Sequence, residues 1–201
     1  MFSELWRNKP ETFDVRKVDN DVARKAGALS AEMDGDFVVF LIGAGFNTWW
    51  GLPRILKMKA KMDAMLNQLS NLPSEETGFL GGMAWFGNPT LGVQYWRSHE
   101  HLHAFARNTQ LPHSEAWQWF NRRVLESEKG LHDDGGVGIW HEAYMVKDGN
   151  YEAIYNLMPP FGLGRAGRLV PCQGKTVSAA GRVKDNQTRY TTAAAKCPMK
   201  T

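Results

Sequence analysis

Apolar and polar positions fall into distinct blocks along the chain. Asp36–Gly43 is rich in β-branched and aromatic residues and apolar on both faces, so it predicts a strand covered on both sides. Gly51-Leu52-Pro53 then opens a helix. Leu52, Ile55, Leu56, Met62, Met65, Leu66 and Leu69 recur at helical spacing, while Lys57, Lys59 and Lys61 fall mostly on the other side. Two short strands follow, Gly78–Phe86 and Leu91–Arg97, joined by the turn residues Gly87-Asn88-Pro89. Ser98 is placed to cap a short helix containing Leu102, Phe105 and Ala106. Pro112 opens another helix, from His113 to about Leu125, and 126–136 reads as a loop. Val137–Val146 is a strand, and Asp148-Gly149 predicts a hairpin that returns along Tyr151–Leu157.

The pattern divides the chain into an N-terminal arm (1–35), one domain (36–170) and a polar C-terminal tail (171–201) with a low-complexity Thr-Thr-Ala-Ala-Ala run. Strands segregated from helices predict an α+β fold, an antiparallel sheet with helices on one face. The other face is apolar too, and no remaining element is free to cover it. A second copy of the sheet is the simplest cover, so a homodimer is expected.

Composition narrows the classes. With 201 residues and 43% apolar content, the chain can bury a core. A net charge of +3 is too balanced for a dedicated nucleic-acid binder. Two cysteines, Cys172 and Cys197, make no disulfide framework and no CxxC pair. The longest apolar run, Phe37–Gly45, is far short of the roughly 20 residues of a membrane helix. A cytoplasmic protein with no membrane partner is the expectation. Eight Trp, ten Phe and five Tyr are the unusual component, and they concentrate around His113 and on the strands.

The order of motifs is distinctive. Phe37–Gly43, Asn47 and Trp49-Trp50 come first. Tyr95-Trp96-Arg97-Ser98, His101-Leu102, His113, Ala116-Trp117 and Phe120-Asn121 follow. Gly138-Ile139-Trp140-His141-Glu142, Tyr144, Tyr151-Glu152-Ala153, Asn156, Met158-Pro159 and Phe161-Gly162-Leu163 close the series. Over about 25–170 the chain resembles the monooxygenase-like family that includes the fumagillin-pathway monooxygenase of fungi, in the dimeric α/β-barrel superfamily with the antibiotic-biosynthesis monooxygenases. One departure is Ala44-Gly45-Phe46, where the family pattern has a Met-Arg pair. The resemblance implies a ferredoxin-like sheet in each subunit of a dimeric α/β barrel, and a pocket between sheet and helices. It implies either oxygenation without any cofactor or, as in aldoxime dehydratases and chlorite dismutases, a bound haem.

Two histidines are the candidate catalytic groups. His113 lies mid-face on its helix with Ala116, Trp117, Phe120 and Val124, in the first turn, where the helix dipole disfavours its protonated form. His141 shares a strand face with Val137, Ile139 and Ala143. Tyr95 and Arg97 share one face of their strand, and Trp96 has the other. Trp96, Trp117, Phe120, Tyr144 and Tyr155 are candidate cavity walls, and Asn47 and Asn121 could fix a carbonyl. His99, His101 and His103 scatter around a helix and read as a solvated face, so no metal site is expected. Gly162-Leu163-Gly164-Arg165-Ala166-Gly167 matches GxGxxG but follows no strand of a βαβ unit, so flavin and nicotinamide are not expected. The expected activity is oxidation or rearrangement of a small hydrophobic metabolite with molecular oxygen. A haem enzyme and a non-catalytic small-molecule binding protein are the alternatives.

Overall fold

The computed structural model describes residues 27–46, 51–108, 118, 122, 137–158 and 160–196. Seven strands and five α-helices are described here: β1 (Ala28–Glu32), β2 (Phe37–Phe46), α1 (Leu52–Ser70), α2 (Ser74–Thr77), β3 (Phe79–Trp85), β4 (Leu91–Trp96), α3 (His99–Arg107), β5 (Val137–Val146), β6 (Tyr155–Asn156), α4 (Leu163–Ala166), β7 (Arg168–Pro171) and α5 (Ala179–Lys196). The strands form two sheets, β3-β4-β2-β5 and β6-β1-β7, with every described pairing antiparallel.

The larger sheet, built in the order β2-α1-β3-β4-α3-β5, is ferredoxin-like, as expected. Val38 stands opposite Trp96 in β4 and Met145 in β5, and Phe40 opposite Gln94 and Ala143. These residues therefore share one face. That face meets the helices: Val38, Phe79 and Trp96 form a buried core with Leu69 of α1 and Leu102 of α3, flanked by Phe40, Leu66, Phe105 and Ala143. Trp96 is fully buried and donates its indole N–H to Gln94 Oε1 at 3.0 Å, which removes the cost of burying that polar group. The Ser98 side chain accepts the backbone N–H of His101, so the helix start lies where the capping residue places it.

The Gly87-Asn88-Pro89 turn ties β2 to β4. Asn88 accepts the N–H of Phe46 and donates to its carbonyl, and Thr90 makes the same exchange with Ala44. With the Thr90 N–H bond to the Ala44 carbonyl at 2.8 Å, the two side chains continue the ladder past the Ile42–Gly92 pair. The departure at Ala44-Gly45-Phe46 lies under this lock: a Cβ on Gly45 would stand 3.1 Å from Asn88 Oδ1.

Three expectations are corrected. First, the turn at Asp148-Gly149 forms, with Asn150 N–H donating to the Lys147 carbonyl, but it makes no hairpin. Gly149 has φ +80°, while Asp148 keeps a negative φ, so this is not the type I′ turn that folds a strand back on its neighbour. Asp36 captures the turn instead, pairing with Lys147 at 2.6 Å and accepting the N–H of Asp148 at 2.9 Å. These contacts hold the Asp36 carboxyl below the usual carboxylate range. The chain then crosses to β1, where Leu29 pairs with Tyr155.

Second, the segment read as an arm contributes β1, the middle strand of the smaller sheet. Third, the segment read as a polar tail begins at the last residue of β7 and contains the 18-residue helix α5. Its polar residues are anchors. Arg182 is buried, pairs with Glu152 and donates to the carbonyls of Thr176 and Val177. Buried Asn186 donates to the Tyr151 carbonyl at 2.8 Å. Arg189 and Arg168 both pair with Glu32 of β1. The helix runs so close to the turn that a Cβ on Gly149 would lie 3.0 Å from the Asn186 carbonyl oxygen.

Candidate functional site

The sheet face away from the helices is partly covered from within the chain. Segment 150–163 folds across it and borders an open cavity of about 370 Å³. Its floor is the sheet itself: Phe37 and Val39 of β2, Tyr95 of β4 and Val146 of β5. Its walls are Asn150, Tyr151, Glu152, Ala153, Tyr155, Phe161, Gly162 and Leu163. The volume falls within the range of small-molecule sites.

Three phenols give this apolar space its polar points. Tyr155, buried, accepts the N–H of Gly164 at 2.8 Å. Tyr151 packs edge-on against Phe37, with ring centroids 5.4 Å apart, and accepts the N–H of Met33 at 2.8 Å. Tyr95 sits on a central strand between β2 and β3, opposite Val39 and Gly81. Burial pushes the Tyr95 hydroxyl up to about 12, with proximity to Tyr155 adding to it. Burial also raises Tyr151 and Tyr155, against the lowering effect of their backbone hydrogen bonds. All three are hydrogen-bond donors at neutral pH.

The glycine run Gly162–Gly167 shapes this wall. Gly162 has φ 53° and ψ −128°, the geometry of the first central residue of a type II′ turn, and Gly164 N–H closes the turn onto the Phe161 carbonyl at 3.1 Å. A Cβ on Gly162 would lie 3.3 Å from the Tyr95 hydroxyl, and one on Gly164 would lie 2.9 Å from the Tyr155 ring. Both glycines let the backbone approach the phenols. Glu152 is the single charged residue of the lining, and its carboxylate meets Arg182 at 2.5 Å.

Of the residues expected at the site, Tyr95 and Tyr155 come together here. Trp96 belongs to the core on the helix side. Arg97 is exposed and donates to the Asp34 carbonyl at 2.8 Å. Tyr144 is exposed, with its hydroxyl on Glu142 at 2.5 Å. His141 stands opposite Ile42 on the helix-side face, exposed, with its ring centroid 5.6 Å from that of Phe40. It is therefore separated from the tyrosine cavity by the sheet, and no single pocket holds both. His113, Trp117, Phe120, Asn121 and Asn47 lie outside the described residues. At the histidine-rich start of α3, His99 and His103 are exposed and stacked at 5.9 Å, and half-buried His101 has its Nδ1 2.9 Å from Ser98 Oγ. Among the described residues no three potential ligands gather around a metal position, and no helix is long and apolar enough to cross a membrane.

Haem does not fit this cavity. Among the described residues no His or Cys lines it, and burial keeps its phenols protonated, the opposite of what an axial tyrosinate requires.

Sequence reasoning missed Phe37, Tyr151, Glu152, Phe161, Gly162 and Leu163 as site residues. The available signal was Phe161-Gly162-Leu163-Gly164, a turn-forming run too glycine-rich for a helix and flanked by aromatics.

Comparison with known proteins identifies the family and the fold. The chain belongs to the Monooxygenase af470-like family, matched over residues 37–163. Every cavity-lining residue lies inside that range, and α5 lies outside it. Monooxygenase af470 of Aspergillus fumigatus is 31% identical over 139 residues, which is 65% of this chain and 46% of that protein. Aldoxime dehydratase superposes with a TM-score of 0.53 at 14% identity, over 90% of this chain and 46% of that one, a likeness of fold. The chain thus spans about half the length of each relative.

Proposed function

We propose that the chain is a monooxygenase-type enzyme that oxidises a small apolar metabolite in the tyrosine cavity, without flavin or nicotinamide. The observation that carries this reading is the coincidence of the family match with a cavity built wholly from matched residues. Without an external reductant, the electrons must come from the substrate. An activated CH₂ group and dioxygen then balance as a carbonyl group and water. Glu152, the carboxylate of the lining, accepts the substrate proton. The apolar floor gives the carbanion a water-poor side, and the sheet fixes its orientation. Tyr95 and Tyr155 are the substrate-binding polar groups. The working unit is a homodimer, because half-buried Leu41, Val93 and Trp140 share the sheet face beyond the cavity.

The test is oxygen uptake by purified protein with a panel of phenolic and enolisable substrates, with no added flavin or nicotinamide. Isotopically heavy dioxygen should enter the product. Uptake only after flavin and a reduced nicotinamide are added would overturn the reading, as would no uptake with any substrate. A Soret band abolished by His113→Ala would replace it with haem chemistry.

A further inference from the structure

The cavity holds more order than an apolar hollow needs. Tyr155 oxygen accepts a hydrogen bond from Gly164 N–H. A hydroxyl that accepts from the backbone keeps its own proton for another acceptor. Tyr95 reaches the same place from the sheet. The Tyr95 and Tyr155 hydroxyl oxygens lie 3.3 and 3.9 Å from the point where a Cβ on Gly162 would stand. The missing side chain leaves a small space bordered by two phenol oxygens. Among the described residues nothing hydrogen-bonds to the Tyr95 hydroxyl. The Tyr95 hydroxyl is not one of the fully buried, partnerless polar atoms, so it keeps contact with solvent and its proton is available to an incoming acceptor.

We infer that Tyr95 and Tyr155 form a paired donor clamp for the oxygen of a small, neutral, apolar carbonyl compound bound over Gly162. This rests on the reading of the cavity as the substrate site, and it names the class of substrate. Two donors match the two lone pairs of one carbonyl oxygen. Neutrality follows from the ion pair: Arg182 already compensates Glu152, the lining's one charge, so the lining offers no free counter-ion to a charged ligand. Size follows from the volume, since 370 Å³ corresponds to about a dozen water-sized groups. If the bound carbonyl becomes an enolate, the same donors face the growing negative charge and bind it more tightly than the ketone. Burial keeps both phenols protonated for that role.

The experiment is calorimetric titration of the full chain with α-tetralone and with tetralin, the same skeleton without the oxygen. The wild type is expected to prefer the ketone by about tenfold or more. Tyr95→Phe and Tyr155→Phe should each reduce that preference roughly three- to tenfold, and the double variant should erase it. The carbonyl stretch of tetralone bound to wild-type protein should lie below its value in an apolar solvent, a readout independent of how the variants fold. Equal affinity for ketone and hydrocarbon, no binding of either below ~1 mM, or an unshifted stretch would overturn the clamp. Oxygen uptake that ignores both hydroxyls would overturn it while sparing the oxygenase reading. A phenol-dependent ketone preference with no oxygen uptake would leave the clamp standing and remove the oxygenase reading.

Discussion

Arg182 of α5 meets Glu152 of the cavity wall at 2.5 Å, so the last helix of the chain holds one side of the candidate site. The Arg182 side chain is only 5% exposed and also donates to two backbone carbonyls. Removing it strands those acceptors and the carboxylate. Arg182→Ala should cost about 2–4 kcal/mol in urea denaturation. Arg182→Lys should recover only part of this, because an ammonium lacks the planar fork that reaches all three partners. Tetralone binding should weaken in both variants as the wall at Tyr151 and Glu152 loosens.

Gly162→Ala tests the turn. At φ 53° and ψ −128° an alanine is strained, and its Cβ would press on the Tyr95 hydroxyl. A loss of roughly 1–3 kcal/mol is expected, with weaker ligand binding. Gly138→Ala is the control: it meets nothing within 4 Å and has no positive φ, so both measurements should stay near wild type.

The tyrosines set an alkaline limit. Tyr95, Tyr151 and Tyr155 have raised native values, so as pH rises past 10, the ordinary tyrosine value, the unfolded chain releases these protons before the folded one does. The unfolded state then binds fewer protons, and stability falls with pH. The decline should run from about pH 10 toward about 12, the Tyr95 value, and be shallower in Tyr95→Phe. Phenolate absorbance during a pH titration, with denaturation at each step, checks the sign. Stability rising over this interval would contradict the burial of these hydroxyls.

Residues across the sheet should leave cavity binding alone. His141→Ala is expected to keep wild-type tetralone affinity, since its exposed ring lies beside Phe40 on the helix-side face. Trp96→Phe should lower stability by about 1–2 kcal/mol, from lost volume and an unpaired Gln94 Oε1, with affinity unchanged.

Light scattering should give about 45 kDa, twice the 22.7 kDa of one chain. Charges introduced together at Leu41 and Val93, on the outer sheet face, should shift the mass to that of a monomer. A wild-type monomer would show that segment 150–163 covers this face sufficiently by itself.

Local signals determined much of the fold. Period-two and period-3.6 patterns placed β2, α1, β3, β4 and β5 to within a few residues, Ser98 marked the start of α3, and Tyr95 and Trp96 were correctly assigned to opposite faces. These features depend on neighbours within a few positions, which the sequence lists directly. Tertiary structure decided what each face meets. Alternation showed that β2 has two apolar faces, but not that Trp96 meets helices while Tyr95 meets segment 150–163. It could not separate His141 from Tyr155, because their placement depends on which strands pair. Asp148-Gly149 promised a hairpin on local grounds, yet Asp36, over a hundred residues earlier, captured the turn and sent the chain to β1. Likewise, α5 looked like a solvated tail because its stabilising contacts are ion pairs and hydrogen bonds to distant residues. A polar residue's sequence does not reveal whether water or a buried partner satisfies it; Arg182 and Asn186 found Glu152 and Tyr151 only when the chain folded.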